Sequence, residues 1–179
     1  MTKPVTRNIS TPRLLLDEEF FDLESLARAL GWEQTFRQLE PGRLEAGVQI
    51  IGHELCQAMR VHFNRSYHQL AHPPPGFALF GLPDLDTSEL RWEGKVLRAG
   101  SIVNFNFPDG LDMTSQGDFR GTILAFEKHH FLQVADSFGL EPSKLAELYQ
   151  EPYWIPESSV QRGLTDLLAN IFEAAMDED

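Results

Sequence analysis

The stretch Phe77–Pro108, FALFGLPDLDTSELRWEGKVLRAGSIVNFNFP, constrains the fold of this chain more than any other. Short apolar runs alternate in it with polar and glycine corners. A strand ends at Trp92, Glu93-Gly94 turns, a third strand follows, and Gly100 marks a second break. Val103-Asn104-Phe105-Asn106-Phe107 then alternates apolar and polar, the period of two expected of a strand with one buried face. Short strands at regular spacing predict a small closed or rolled sheet rather than a parallel one. The interior of such a barrel is either filled by side chains or holds one small ligand.

Further strands are predicted on both sides. Leu44, Ala46, Val48 and Ile50 alternate with Glu45, Gly47 and Gln49. Met59, Val61 and Phe63 share one parity, while Arg60, His62 and Asn64 share the other. One face of that strand meets a core and the opposite face meets solvent or a neighbouring chain. Tyr67–His72 is another strand, ended by Pro73-Pro74-Pro75-Gly76, and Phe119–Phe126 is the last. Residues 1–13 read as an extended polar arm, and Phe20 to Leu30 as a short amphipathic helix ended by Gly31.

After Glu127 the period changes. Phe131, Val134, Ala135 and Phe138 recur at helical spacing up to Gly139, and a second helix from Glu141-Pro142-Ser143 carries Leu145, Leu148 and Tyr149. A break from Pro152 to Pro156 precedes a final helix with Ser158-Ser159 as N-cap residues. Val160, Leu164, Leu167 and Ile171 form a short heptad seam on it, suited either to the chain's own sheet or to a dimer partner. The expected fold is mainly β (α+β). Residues 1–31 form an arm and short helix, 32–127 a β-barrel sensor domain, and 128–179 a helical dimerisation and linker segment.

Charge excludes one class of function. The chain of 179 residues, of single-domain size, carries 27 acidic against 15 basic side chains, a net charge of −12. Nucleic-acid binding depends on Lys and Arg neutralising phosphates, so this chain is not expected to bind DNA itself. Cys56 is the single cysteine, which rules out an intrachain disulfide. No run reaches the ~18 apolar residues of a membrane helix, and the N-terminus lacks the apolar core of a secretory signal. A cytoplasmic setting is expected.

No catalytic constellation stands out. The six histidines, His53, His62, His68, His72, His129 and His130, include no His-x-His pair, and His129 and His130 point to different helix faces. Cys56 has no placed histidine–acid partnership, and nucleophile-elbow, phosphate-loop and dinucleotide signatures are lacking. The expectation is a non-enzyme without cofactor or metal. The competing reading is a cupin-type metalloenzyme with a non-standard site drawing on His62 or His68.

Aromatic content points elsewhere. Phe63, Phe77, Phe80, Trp92, Phe105 and Phe107 all fall in predicted strands. Most are expected to be core. Trp92, Phe105, Phe107, Phe63 and Met59 are the candidates to line an apolar ligand pocket, with Trp92 nearest a barrel mouth. If these prove packed, the signal enters through the arginine-bearing face or the final helix. Separately, Asp112-Met113-Thr114-Ser115-Gln116-Gly117 resembles the Asp/Asn-x-Ser-x-x-Gly element of PilZ-type cyclic-di-GMP receptors, with Thr114 replacing the serine. Arg60 and Arg65, Arg37 and Arg43, or Arg7 and Arg13 would then supply the phosphate-clamping arginines, none of these pairs having the receptors' Arg-x-x-x-Arg spacing.

The order of features resembles a known family. Phe36-Arg37-Gln38-Leu39-Glu40-Pro41-Gly42, Phe63-Asn64-Arg65, and Pro75-Gly76-Phe77-Ala78-Leu79-Phe80-Gly81-Leu82-Pro83 look like the N-terminal regulatory domain of AraC/XylS-type transcription factors. Trp92-Glu93-Gly94, Ala99-Gly100 and the helix from Phe131 to Gly139 continue the resemblance, which runs from about Trp32 to Tyr149. It implies a cupin-like jelly-roll β-barrel followed by helices, a small-molecule effector and a homodimer. DNA contact would belong to a C-terminal helix-turn-helix domain, which this chain lacks. The resemblance implies no particular effector.

Overall fold

A computed structural model describes residues 12–86, 89–106 and 110–177. The chain is mainly β, built from two antiparallel sheets, with one helix after the first strand and three towards the C-terminal end. The sheets face each other without closing into one continuous barrel.

Twelve strands and four helices make up the described chain. The first is β1 (Arg13–Phe20), then α1 (Leu23–Leu30), β2 (Glu33–Gln38), β3 (Ala46–His53), β4 (Cys56–Phe63) and β5 (Tyr67–His72). The central run supplies β6 (Phe77–Pro83), β7 (Leu90–Trp92), β8 (Lys95–Val96) and β9 (Ile102–Asn104). Then come β10 (Leu111–Ser115), β11 (Phe119–Glu127), α2 (Lys128–Ser137), α3 (Pro142–Gln150), β12 (Tyr153–Trp154) and α4 (Ser158–Met176). The larger sheet runs β1-β3-β4-β11-β6-β9-β12 and the smaller runs β2-β5-β10-β7-β8. From β4 to β7, and again from β9 to β11, successive strands alternate between the two sheets.

The hairpin between β7 and β8 follows directly from its sequence. Glu93 and Gly94 have φ of 48° and 75°, so both central residues of this two-residue loop are left-handed, as a tight hairpin turn requires. Side chains of alternate parity from both sheets fill the space between them. Val48, Val61, Phe63, Tyr67, Trp92 and Met113 all belong to this core.

Several elements differ from expectation. Strand β1 begins at Arg13, where the expected arm ends, and pairs with β3 from Arg13↔Gly52 to Phe20↔Ala46, so α1 begins at Leu23 rather than Phe20; residues 1–11 of the arm lie outside the described residues. Its N-cap is Asp22, whose carboxylate accepts from the Ser25 N–H at 2.7 Å. Residues 33–38 form β2, and the cyclic-di-GMP-like element, residues 112–117, overlaps β10 from Asp112 to Ser115. The last helix is capped by neither serine: Ser158 is its first helical residue and Glu157 precedes it. Leu145 is buried, while the side chains of Leu148 and Tyr149 lie outside the described set.

Candidate functional site: a cleft outside the sheets

The space between the sheets is occupied. Phe63 and Tyr67 stack at 4.2 Å, with Phe36 5.9 Å from each and Phe119 5.8 Å from Tyr67. Trp92 is 1% exposed and packs edge-on to Phe105 at 5.5 Å, so it closes the core rather than facing a mouth. Met59 and Phe105 are likewise buried, and Phe107 lies outside the described residues. The void left among these side chains is about 30 Å³. That admits water but falls well below the roughly 300–1,000 Å³ of small-molecule sites. Burial also holds the Tyr67 phenol well above its ordinary pKa, so it stays neutral.

The opposite face of the larger sheet is organised differently. Cross-strand register places Leu14, Ile51, Ala58, Leu124 and Phe80 in one row. Asp17, Gln49, Arg60, Thr122 and Leu82 form the next row on that face, and Glu19, Gly47, His62, Arg120 the one after. Helix α4 lies over the apolar row: Leu168, Phe172 and Ala175 are buried against Ile51 and Ala58. The polar rows offer no such surface. A cleft of about 630 Å³ remains between them and the flank of α4 carrying Gln161, Leu164, Thr165 and Leu168. Two glycines shape its edges. A Cβ at Gly47 would meet the Glu19 carboxylate, and one at Gly100 (φ 81°) would run into the Gln161 side chain of α4.

The cleft carries both signs of charge. The Arg60 guanidinium sits 4.0 Å above the Phe172 ring, a cation–π contact that fixes it against α4. Among the described residues Arg60 has no hydrogen bond and no ion pair within 4.0 Å. Asp118 accepts from His62 Nε2 at 2.8 Å and lies 3.8 Å from Arg120. Burial raises the pKa of Asp84, Asp86 raises it further, and Arg60 and Arg120 pull the other way. Such a site can bind and orient a small molecule.

The remaining candidates are dispersed. Asp112 and Thr114 lie on β10 in the smaller sheet, where Asp112 accepts from His68 Nε2 at 2.8 Å. Arg65 sits in the β4–β5 loop, donating to the Arg43 carbonyl at 3.3 Å and lying 4.0 Å from Glu40. The two arginines, Asp112 and Thr114 are therefore not gathered into one site. His62 and His68 belong to different sheets, and among the described residues no three His, Cys, Asp or Glu side chains group as metal ligands. Burial raises the pKa of the Cys56 thiol, which makes it a poor nucleophile. The heptad seam divides. Leu164 and Ile171 pack toward the sheet, whereas Val160 and Leu167 are 56% and 54% exposed.

Arg60 was legible from strand parity, and the strand itself pointed to an outer face. Its cleft partners Gln49, Thr122, Gln161 and Thr165 carry no sequence signal, because only the crossing of α4 over the sheet assembles them. No protein-family model, curated protein or solved structure matches the chain. No helix among the described residues is long and apolar enough to cross a membrane.

Proposed function

We propose that this chain is the effector-sensing and dimerisation module of an AraC/XylS-type bacterial transcription regulator, non-enzymatic and cytoplasmic. Its effector is held in the outer cleft rather than between the sheets. The observation that carries this reading is the composition of the cleft walls: one is the rigid sheet, the other is α4. A ligand touching both favours one placement of α4 over another, and such a differential affinity is what shifts a population. Its volume of about 630 Å³ suits a small molecule.

The finer fold assignment, a cupin-like jelly roll, is supported by nested antiparallel pairs. β4 pairs with β11, β5 with β10 and β6 with β9, while the chain passes back and forth between the sheets. Dimerisation is assigned to the exposed edge of α4 at Leu167, with Val160, equally exposed, bordering both that edge and the cleft. DNA contact is left to a domain outside this sequence, in keeping with a net charge of −12.

Sedimentation equilibrium tests the dimer. At roughly 100 μM protein the expected species is a dimer, and Leu167→Asp is expected to give a monomer of unchanged thermal stability. A wild-type chain that stays monomeric at that concentration overturns the assignment.

A further inference from the structure

A second cavity adjoins the cleft. It measures about 250 Å³, its walls are wholly apolar, and it lies among Phe80, Leu124, Phe131 and Trp154. Leu82, Ile102 and Leu164 line both spaces, so the polar cleft and the apolar cavity are neighbours across these three side chains. We propose that the two form one site for a single carboxylate carried on an aliphatic chain. This rests on the reading of the cleft as the effector site and names the chemistry of the effector.

Three observations select that chemistry. The first is the cavity itself: no polar atom lines it, so it offers ordered water no partner and favours a hydrocarbon group. The second is Arg60, half-buried on Phe172 with no protein acceptor for its N–H donors among the described residues. A guanidinium so held matches a carboxylate through two parallel hydrogen bonds. The third is the balance of charge: Asp17, Glu19, Asp84 and Asp86 line the cleft beside Arg60 and Arg120, so a second negative charge on the ligand is repelled more than it is attracted, which disfavours a phosphate relative to a carboxylate.

Spacing sets the length. Arg60, Thr122 and Leu82 stand on three adjacent strands in one row. At ~4.8 Å per strand, Arg60 and Leu82 are therefore about 10 Å apart. With carbon–carbon bonds of ~1.5 Å, a zigzag chain of about eight to ten carbons reaches from Arg60 into the cavity. Buried Thr122 lies between the two, under the start of the chain.

Calorimetry with sodium decanoate tests the proposal, alongside acetate, 1-decanol and decyltrimethylammonium. Decanoate is expected to bind with a Kd on the order of 10 μM and to change the fluorescence of Trp154, a change that Trp154→Phe removes without abolishing the binding heat. Acetate, which has the head without the chain, is expected to give no heat. Arg60→Gln is expected to weaken decanoate about tenfold or more while leaving 1-decanol within about twofold, which also shows that the variant is folded. Equal affinity for decanoate and decyltrimethylammonium, or an unchanged decanoate Kd in Arg60→Gln, overturns the proposal. So does the absence of decanoate binding at roughly 1 mM. If instead a different metabolite stabilises the wild type and not Thr165→Trp, which fills the cleft, the sensing reading stands and the carboxylate is rejected. Decanoate binding that survives Thr165→Trp unchanged overturns both.

Discussion

Asn104 joins three segments of the chain at one buried point. It is fully buried; its Nδ2 donates to the Glu151 carbonyl at 2.9 Å, and its Oδ1 accepts from the backbone N–H and Nδ2 of Asn106 at 3.0 and 2.8 Å. Asn106 in turn accepts from the Leu79 N–H at 2.9 Å and donates to its carbonyl at 2.8 Å. A satisfied network of this kind holds β6, β9 and the segment entering β12 in register. Asn104→Leu strands donors and acceptors in the interior. The expected cost is about 1–3 kcal/mol, read from the midpoint of urea denaturation at constant slope. Alternation along Val103–Phe107 suggested polar side chains facing outward, and at Asn104 that inference reverses. Period-two patterning distinguishes the two faces of a strand but not whether the polar face is covered. Parity did place Met59, Val61 and Phe63 correctly, because on β4 both faces differ strongly in polarity.

At the scale of elements, α2 depends on one carboxylate. Glu127 accepts from the His129 and His130 N–H groups at 2.9 and 2.7 Å, and these bonds hold its pKa below the ordinary 4.5. A lowered folded pKa means the cap stabilises fully above the ordinary carboxylate range and is lost as pH falls through the folded value. Glu127→Gln is therefore expected to lose stability relative to the wild type at neutral pH and to converge with it on acidification. Thermal melts of both proteins at a series of pH values check this; a constant gap down to acid pH contradicts it. The start of α2 was legible from its change of period, as was α4 from its apolar spacing. Strands β1, β2 and β10 were not. In β1, Leu14, Leu15 and Leu16 run consecutively before the acidic Asp17-Glu18-Glu19, so no alternation marks it, and only pairing with β3 makes it a strand. In α4 the heptad seam and the buried stripe overlap. The helix uses Leu168 and Phe172 against its own sheet and leaves Leu167 outside, a division that a one-dimensional pattern does not resolve.

For the whole molecule, the decisive contrast lies between two spaces. The interior, walled by the strand run that first suggested a ligand chamber, retains about 30 Å³. The cleft outside it encloses about 630 Å³ and is bounded on one side by α4. The sequence made the barrel wall conspicuous because aromatic residues in strands are easy to see. It left the cleft invisible because its residues come from β1, β3, β4, β6, β11 and α4 and meet only through sheet register and helix crossing. The most direct test is a thermal-shift screen of small metabolites on the wild-type chain and on Thr165→Trp in parallel. A ligand at about 100 times its Kd adds ~2.7 kcal/mol of stability. Compounds that stabilise the wild type are expected to leave Thr165→Trp unstabilised; compounds that stabilise both equally would contradict a ligand site in the cleft.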